Sequence, residues 1–269
     1  PQQAIAKLTK SIHTNPNKDK LSEQIVEQYT RLDEKEQKQT LVVIPDNKTR
    51  DKVQQGIREV FQRNGRVDSQ DHDFQTRKGL VHAPIELTNL NTFKPGMVLE
   101  VFGSNPRLNI SKDGGSLRVE DTADGTVILR NVVTKEKLKI KPSLLVKMDL
   151  RKFALTTEQP KKLAVGDAII FKRTDKKLNL YNGQKAIVQR IKGNTIYYGK
   201  DMLSGQTKLD TNKYKYWDHN YAHTVYSAQG QTFKNCLALM DSEHKQLTTA
   251  KSFYVTISRA KEKLTLYTD

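Results

Sequence analysis

The stretch TLVVIPDNKTRDKVQQGIREVF (residues 40–61) decides the fold class. Its first six residues form a short apolar run rich in β-branched side chains, the pattern of a strand covered on both faces. Pro45 stops that strand, and Asp46 or Asn47 is placed to cap a helix by accepting a backbone N–H. The helix runs to about Phe61, with Val53, Ile57, Val60 and Phe61 on one side. Asn64-Gly65 ends it, because glycine tolerates a left-handed backbone. Strand, short loop and helix make half of a βαβ unit. Upstream, residues 18–39 read as one amphipathic helix, with Leu21, Ile25, Tyr29 and Leu32 at near-helical spacing.

From Phe93 the texture changes to short alternating strands and Gly-Asp or Asn-Gly turns. The region echoes itself: FKPGMVLEV (93–101) resembles LAVGDAIIF (163–171). Gly96 precedes Leu108 by twelve residues, as Gly166 precedes Leu178. Gly114, Val119 and Gly125 then correspond, within one or two residues, to Gly183, Val188 and Gly193. Two tandem small β-barrels explain the echo, and one meandering sheet is the alternative. After Trp217 the α/β texture returns. Tyr221–Val225 reads as a strand, Ser227 opens a short helix, and CLALM (236–240) is another buried strand. Residues 246–260 read as a helix and LTLYT (264–268) as a final strand. The division that follows is a discontinuous α/β domain over 1–90 and 218–269, a first inserted barrel over 91–160, and a second, basic barrel over 161–217.

Composition narrows the partners. The chain of 269 residues carries 46 Lys+Arg against 30 Asp+Glu, a formal charge of +16. Residues 161–217 hold 13 basic and 4 acidic side chains, net +9, against +2 for 1–90, +4 for 91–160 and +1 for 218–269. A local basic patch of this kind favours a polyanion, above all nucleic acid. Lys172, Arg173, Lys176, Lys177 and Lys185 lie in it, interleaved with Phe171, Tyr181, Tyr197 and Tyr198. Positive side chains follow a phosphate backbone, and aromatic faces stack unpaired bases or fill a core. The single cysteine, Cys236, excludes an internal disulfide framework and a Cys-rich zinc site. With neither a signal peptide nor an apolar run of membrane-spanning length, a cytoplasmic location is expected. A first residue that is Pro rather than Met suggests an excerpt from something longer.

Four motifs occur in order. YAHTVYSAQGQTF (221–233) and FYVTISRAKEKLTLYTD (253–269) resemble motifs V and VI of superfamily 1 DNA helicases of the RecD-like branch. Residues 40–61 resemble motif IV of that branch, and VGDAIIFKRTDKKLNLYNGQKAIV (165–188) is similar to the Src-homology-3-like barrel inserted in its second motor domain. The closing YTD and the preceding FKPGMVLEV barrel point to the helicase region of TraI-type conjugative relaxases. The resemblance implies a RecA-like second motor domain with a parallel sheet, interrupted by the barrels. It implies ATP and Mg²⁺ as cofactors of the complete enzyme, and single-stranded DNA, the first motor domain and a type IV secretion coupling protein as partners.

By the same resemblance Arg259 is an arginine finger. A guanidinium stabilises charge on a transferring phosphoryl group and stays ionised at all relevant pH. Gln229 and Gly230 would approach the nucleotide, while Thr224 and Tyr226 would meet DNA; the family usually has His where Tyr226 stands. Arg50 and Arg58 on the motif IV helix are further nucleotide candidates, one of them facing the cleft, and helix-surface solvation accounts for both equally well. Gln54 replaces the family's usual Asn. His219 and His223 read as ordinary polar residues. No G-x-x-x-x-G-K-[ST] loop occurs, nor an acidic pair ending a buried strand, nor a metal cluster. The chain is therefore not expected to hydrolyse ATP alone. The competing reading is a degenerate helicase copy, serving as a single-stranded DNA-binding and secretion-signal module.

Overall fold

The computed structural model describes residues 11–80, 84–225, 227–228, 233–242 and 258–269. In chain order the elements are β1 (Ile12–Thr14), α1 (Lys18–Arg31), α2 (Glu34–Gln39), β2 (Thr40–Ile44) and α3 (Asn47–Arg63). Then come β3 (His72–Gly79), β4 (Val98–Val101), β5 (Gly115–Ala123), β6 (Thr126–Asn131), β7 (Lys137–Ile140) and β8 (Phe153–Leu163). The second insertion supplies β9 (Ala168–Phe171), β10 (Lys185–Lys192), β11 (Thr195–Gly199), β12 (Thr207–Asp210) and β13 (Trp217–His219). The chain closes with β14 (His223–Thr224), β15 (Phe233–Leu239) and β16 (Ala260–Thr268).

β1, β16, β15, β2 and β14 form, in that order, a parallel five-stranded sheet. Every residue of β2 is buried. Val42 and Ile44 join Leu21, Ile25, Val53 and Ile57 of α1 and α3 in one core. Leu41 and Val43 face a second cluster with Cys236, Ala238, Leu264 and Leu266. Apolar surface on both sides is why the strand reads as an unbroken apolar run. Each such side chain contributes about 1.5–3 kcal/mol by leaving water.

The helices follow their caps. Asp46 accepts the Thr49 N–H at 3.0 Å, and α3 gives way at Asn64 and Gly65 (φ +71°). The single helix expected over 18–39 is instead two. Asp33 accepts the Glu36 N–H at 2.7 Å while Glu36 accepts the Asp33 N–H, a reciprocal cap that starts a new helix one residue after Leu32. The final strand begins four residues earlier than its apolar core suggested, at Ala260, because pairing with β15 starts there, opposite Phe233. The strand expected over 221–225 narrows to β14. The expected helix over 246–260 lies largely outside the described residues, and Ser258–Arg259 form a turn.

The chain divides into two compact units. An α/β unit contains the residues up to His72, Leu163–Leu209 and those from Asp218 onward; a β unit contains Asp73–Lys162 and Asp210–Trp217. The core of the β unit gathers Phe93, Leu99, Leu117, Val119, Val127, Leu129 and Leu155. The Glu158 carboxylate there holds Arg77, Arg118 and Lys215. Burial would raise its pKa, but Arg118 and Lys215 outweigh that and bring it down to about 2.

The sequence echo is a backbone repeat. In each insertion the first strand (β4 or β9) lies between the last (β8 or β13) and the second (β5 or β10). Gly96 (φ +87°) donates its N–H to Val119 O at 2.8 Å, and Gly166 (φ +91°) donates to Val188 O at 2.7 Å. Bridges Asn105↔Ile110 and Asp175↔Leu180 close equivalent loops, with Asn109 and Asn179 both left-handed (φ 52° and 54°). The ladder irregularities at Val119/Asp121 and Val188/Arg190 also correspond. These pairings define antiparallel sheets with open strand orders; their closure into barrels remains a proposal.

The two turn glycines differ in surroundings. A Cβ on Gly96 would meet nothing within 4 Å, whereas one on Gly166 would lie 2.4 Å from Arg66 O. Gly96→Ala should therefore cost only its backbone strain, about 1 kcal/mol, and Gly166→Ala at least twice that. Urea unfolding midpoints of the two variants check the order.

Candidate nucleotide and nucleic-acid site

Arg50, Gln54 and Arg58 recur at helical i, i+4 spacing and share one face of α3. All three are buried. Arg50 ion-pairs with Asp51, and with Asp218 at 3.3 Å. Gln54 Oε1 accepts the Tyr221 and Ala222 N–H groups at 3.3 and 3.4 Å, so the helix holds the approach to β14.

Arg58 is only 1% exposed. Its Nε donates to both oxygens of Asp167 at 2.9 Å, and Nη2 to Asp71 at 2.5 Å. Asp167, fully buried, also accepts the Ala164 N–H at 2.7 Å and the Tyr221 hydroxyl at 2.9 Å. His219 Nε2 stands 3.8 Å from it, beyond hydrogen-bond reach. Burial alone would lift the Asp167 pKa, but His219 and Arg58 outweigh it and hold the carboxyl below its ordinary value. Burial likewise opposes the Arg58 charge, and Asp71 with Asp167 more than offsets it. Solvation on the helix surface, open as an account of both arginines, is replaced by burial against carboxylates.

Asp167 is the link that sequence reading missed. It sits in the turn before β9 at the position Met97 holds in the first insertion, and the carbonyl of each accepts the N–H of the equivalent valine, Val188 or Val119. A carboxylate where the repeat has a thioether was the available signal.

Thr224 ends β14, opposite Ile44 of β2. Its N–H donates to Ser227 Oγ at 2.8 Å, and its carbonyl accepts the Ala228 N–H at 2.9 Å, which turns the chain sharply. Tyr226, Gln229 and Gly230 lie outside the described residues. Arg259, expected on a helix, occupies the turn before β16. Its carbonyl accepts the Phe233 N–H at 2.9 Å, and its Nη2 donates to Ser258 Oγ at 3.0 Å. Arg259 is half-buried, and burial pushes the Cys236 thiol up to about 12 despite the opposing charge of Arg259.

The basic residues divide by location. Lys172 and Arg173 are half-buried, and Lys176 and Lys177 are exposed on the loop closed by Asp175↔Leu180. Asp175 Oδ1 shapes that loop by accepting the Lys177 and Leu178 N–H groups. The equivalent loop of the first insertion has Gly103, Ser104, Pro106 and Arg107, so charge is what separates two copies of one backbone. Phe171 and Tyr198 fill the core, while Tyr181 is 54% exposed on the loop. Lys185 starts β10, with Nζ 4.8 Å from the centre of the Phe233 ring.

His219 and His223, read as ordinary polar residues, are both buried. A two-residue strand leaves too little alternation to reveal burial. Burial, helped by Lys185, Lys172 and Arg50 and opposed by Asp218, brings the His223 pKa down to about 3, so its imidazole is neutral at physiological pH. Among the described residues no group of three or more His, Cys, Asp or Glu side chains could hold a metal ion, and no helix is long and apolar enough to cross a membrane.

Residues 168–268, from β9 to the end of β16, match the family described as the viral superfamily 1 RNA helicase core domain. This segment is superfamily 1 helicase-like. It contains strands β9 to β13 of the second insertion, the Thr224 turn and Arg259. Among solved structures the chain is similar to Bacteroides sp Pif1 in complex with ADP-AlF4, at 12% identity over 93% of this chain and 44% of that one, TM-score 0.26. It is also similar to Bacteroides Pif1 bound to ssDNA (11%, 94% and 45%, TM-score 0.24) and to Pif1 helicase from Candida albicans (12%, 94% and 50%, TM-score 0.28). The chain spans about half the length of these structures. No curated protein matches it in sequence.

Proposed function

We propose that the chain is the second motor domain of a superfamily 1 DNA helicase of the TraI-type conjugative relaxase kind. Together with a first domain that carries the P-loop, it would couple ATP hydrolysis to movement along single-stranded DNA. The observation that carries this reading is the match over residues 168–268, which spans both the basic insertion and the Arg259 turn. Lys172, Arg173, Lys176, Lys177 and Lys185 would contact phosphates, Thr224 and Tyr226 the strand, and Gln229, Gly230 and Arg259 the nucleotide. Arg50 keeps a place near the nucleotide; the Asp167 and Asp71 pairing of Arg58 gives that residue a supporting part instead. The two insertions act in this reading as small barrels, and a coupling protein of a type IV secretion system is the proposed partner of the complete protein. ATP with Mg²⁺ would supply the phosphoryl group; the half-buried Arg259 guanidinium, placed at the start of a parallel strand, fits the demand for a fixed cation beside it.

Single-stranded DNA binding by this chain tests the reading. Single strands release about 0.7 counterion per phosphate neutralised, so contacts from four or five cations give a slope of log K against log salt of about −3. Changing Lys172, Arg173, Lys176 and Lys177 together to Gln should bring the slope towards zero. A steep slope that survives this change removes the loop from the interface, and equal affinity for RNA of the same sequence redirects the reading to RNA.

A further inference from the structure

A cavity of about 450 Å³ opens within the α/β unit, lined by the end of α2, the start of β2, β10, β14 and Phe233. Its volume falls in the range of small-molecule sites, about 300–1,000 Å³. The walls are largely aromatic and aliphatic, with Tyr29, Phe61 and Phe233 among them. Lys38, Lys185 and Lys200 line it and are exposed, so they stand at its mouth. None of the three has a carboxylate partner among the described residues. Among the described residues of the lining the one acid, Asp201, already accepts the Leu203 and Ser204 N–H groups.

The inner wall is different. His223 lines the cavity, is 4% exposed, and its imidazole has no hydrogen-bond partner among the described residues. A neutral imidazole presents one donor and one acceptor. That pair suits a base edge or a sugar hydroxyl, while a bare anion is better served by the lysines at the mouth.

We propose that this cavity binds one nucleotide unit, its base or sugar hydrogen-bonded to His223 and its phosphate held by Lys38, Lys185 and Lys200. The proposal goes beyond the motor reading, since it needs no residue of a first domain. A free nucleotide and one unit of a single strand present the same chemistry to it.

Imidazole resonances of the ¹⁵N-histidine-labelled chain test it, with His223 assigned through His223→Gln. AMP, a short oligothymidylate and inorganic phosphate are added separately. The His223 signals should move with AMP, which marks a free nucleotide, with the oligonucleotide, which marks a strand, or with both. Lys38→Glu combined with Lys200→Glu changes only exposed side chains outside the strand contacts assigned above and should weaken that response about tenfold with the thermal midpoint unchanged. Signals that stay still with both nucleotide probes overturn the proposal. So do signals that move equally with inorganic phosphate, or a response indifferent to the two charge reversals.

Discussion

Asp167→Ala is expected to destabilise the α/β unit by about 3–5 kcal/mol, the cost of leaving a buried charge without its partner. The substitution strands Arg58, which is 1% exposed, with Asp71 alone, and removes the acceptor of the Tyr221 hydroxyl and the Ala164 N–H. Set against a total stability of about 5–15 kcal/mol, a loss of this size should be plain in the urea midpoint. Replacing both Arg58 and Asp167 with Leu should cost less than Asp167→Ala, because no uncompensated guanidinium remains. The pH dependence has a definite sign. The folded carboxyl titrates below its ordinary value, so its contribution is complete above the unfolded carboxylate pKa, about 3.9, and disappears as pH falls through the lower, folded value. Neutral and mildly acidic solutions should give the same wild-type midpoint, with the loss confined to strongly acidic ones.

The same cluster shows where sequence reading reached and where it stopped. β2 and α3 were legible because continuous burial and helical periodicity leave local patterns, as do the Asp46 cap and Gly65. The repeat was legible because its turns need left-handed residues, and these recur at Gly96, Asn109 and Gly114 and at Gly166, Asn179 and Gly183. Asp33 ended a helix that its periodicity would have continued; the reciprocal cap with Glu36 outweighed the apolar spacing. Asp167 and His223 were not legible as site residues. Their burial arises from contacts between segments far apart in the chain, 109 residues in the case of Arg58 and Asp167. The basic loop was visible as charge, but only the matched backbone of its copy, where Arg107 is the single cation, identifies the extra charge as what differs.

Arg259 carries the central claim. A cation that stabilises the transferring phosphoryl group is worth about 10³–10⁵ in turnover. Even the lower bound, a thousandfold, corresponds to about 4 kcal/mol of transition-state stabilisation. In the folded chain the residue stands half-exposed in a turn, so truncating its side chain should leave the fold and single-stranded DNA affinity close to wild type. Lysine should not restore activity, because a point charge on a flexible stem does not reproduce a planar fork. The decisive measurement is DNA-stimulated ATP turnover by the proposed motor, this chain joined to a P-loop-bearing first domain, with Arg259→Ala beside the wild type. A loss of a thousandfold or more with DNA affinity and thermal midpoint unchanged is the expected result; turnover within a few fold of wild type, or a loss that merely tracks unfolding, would contradict it.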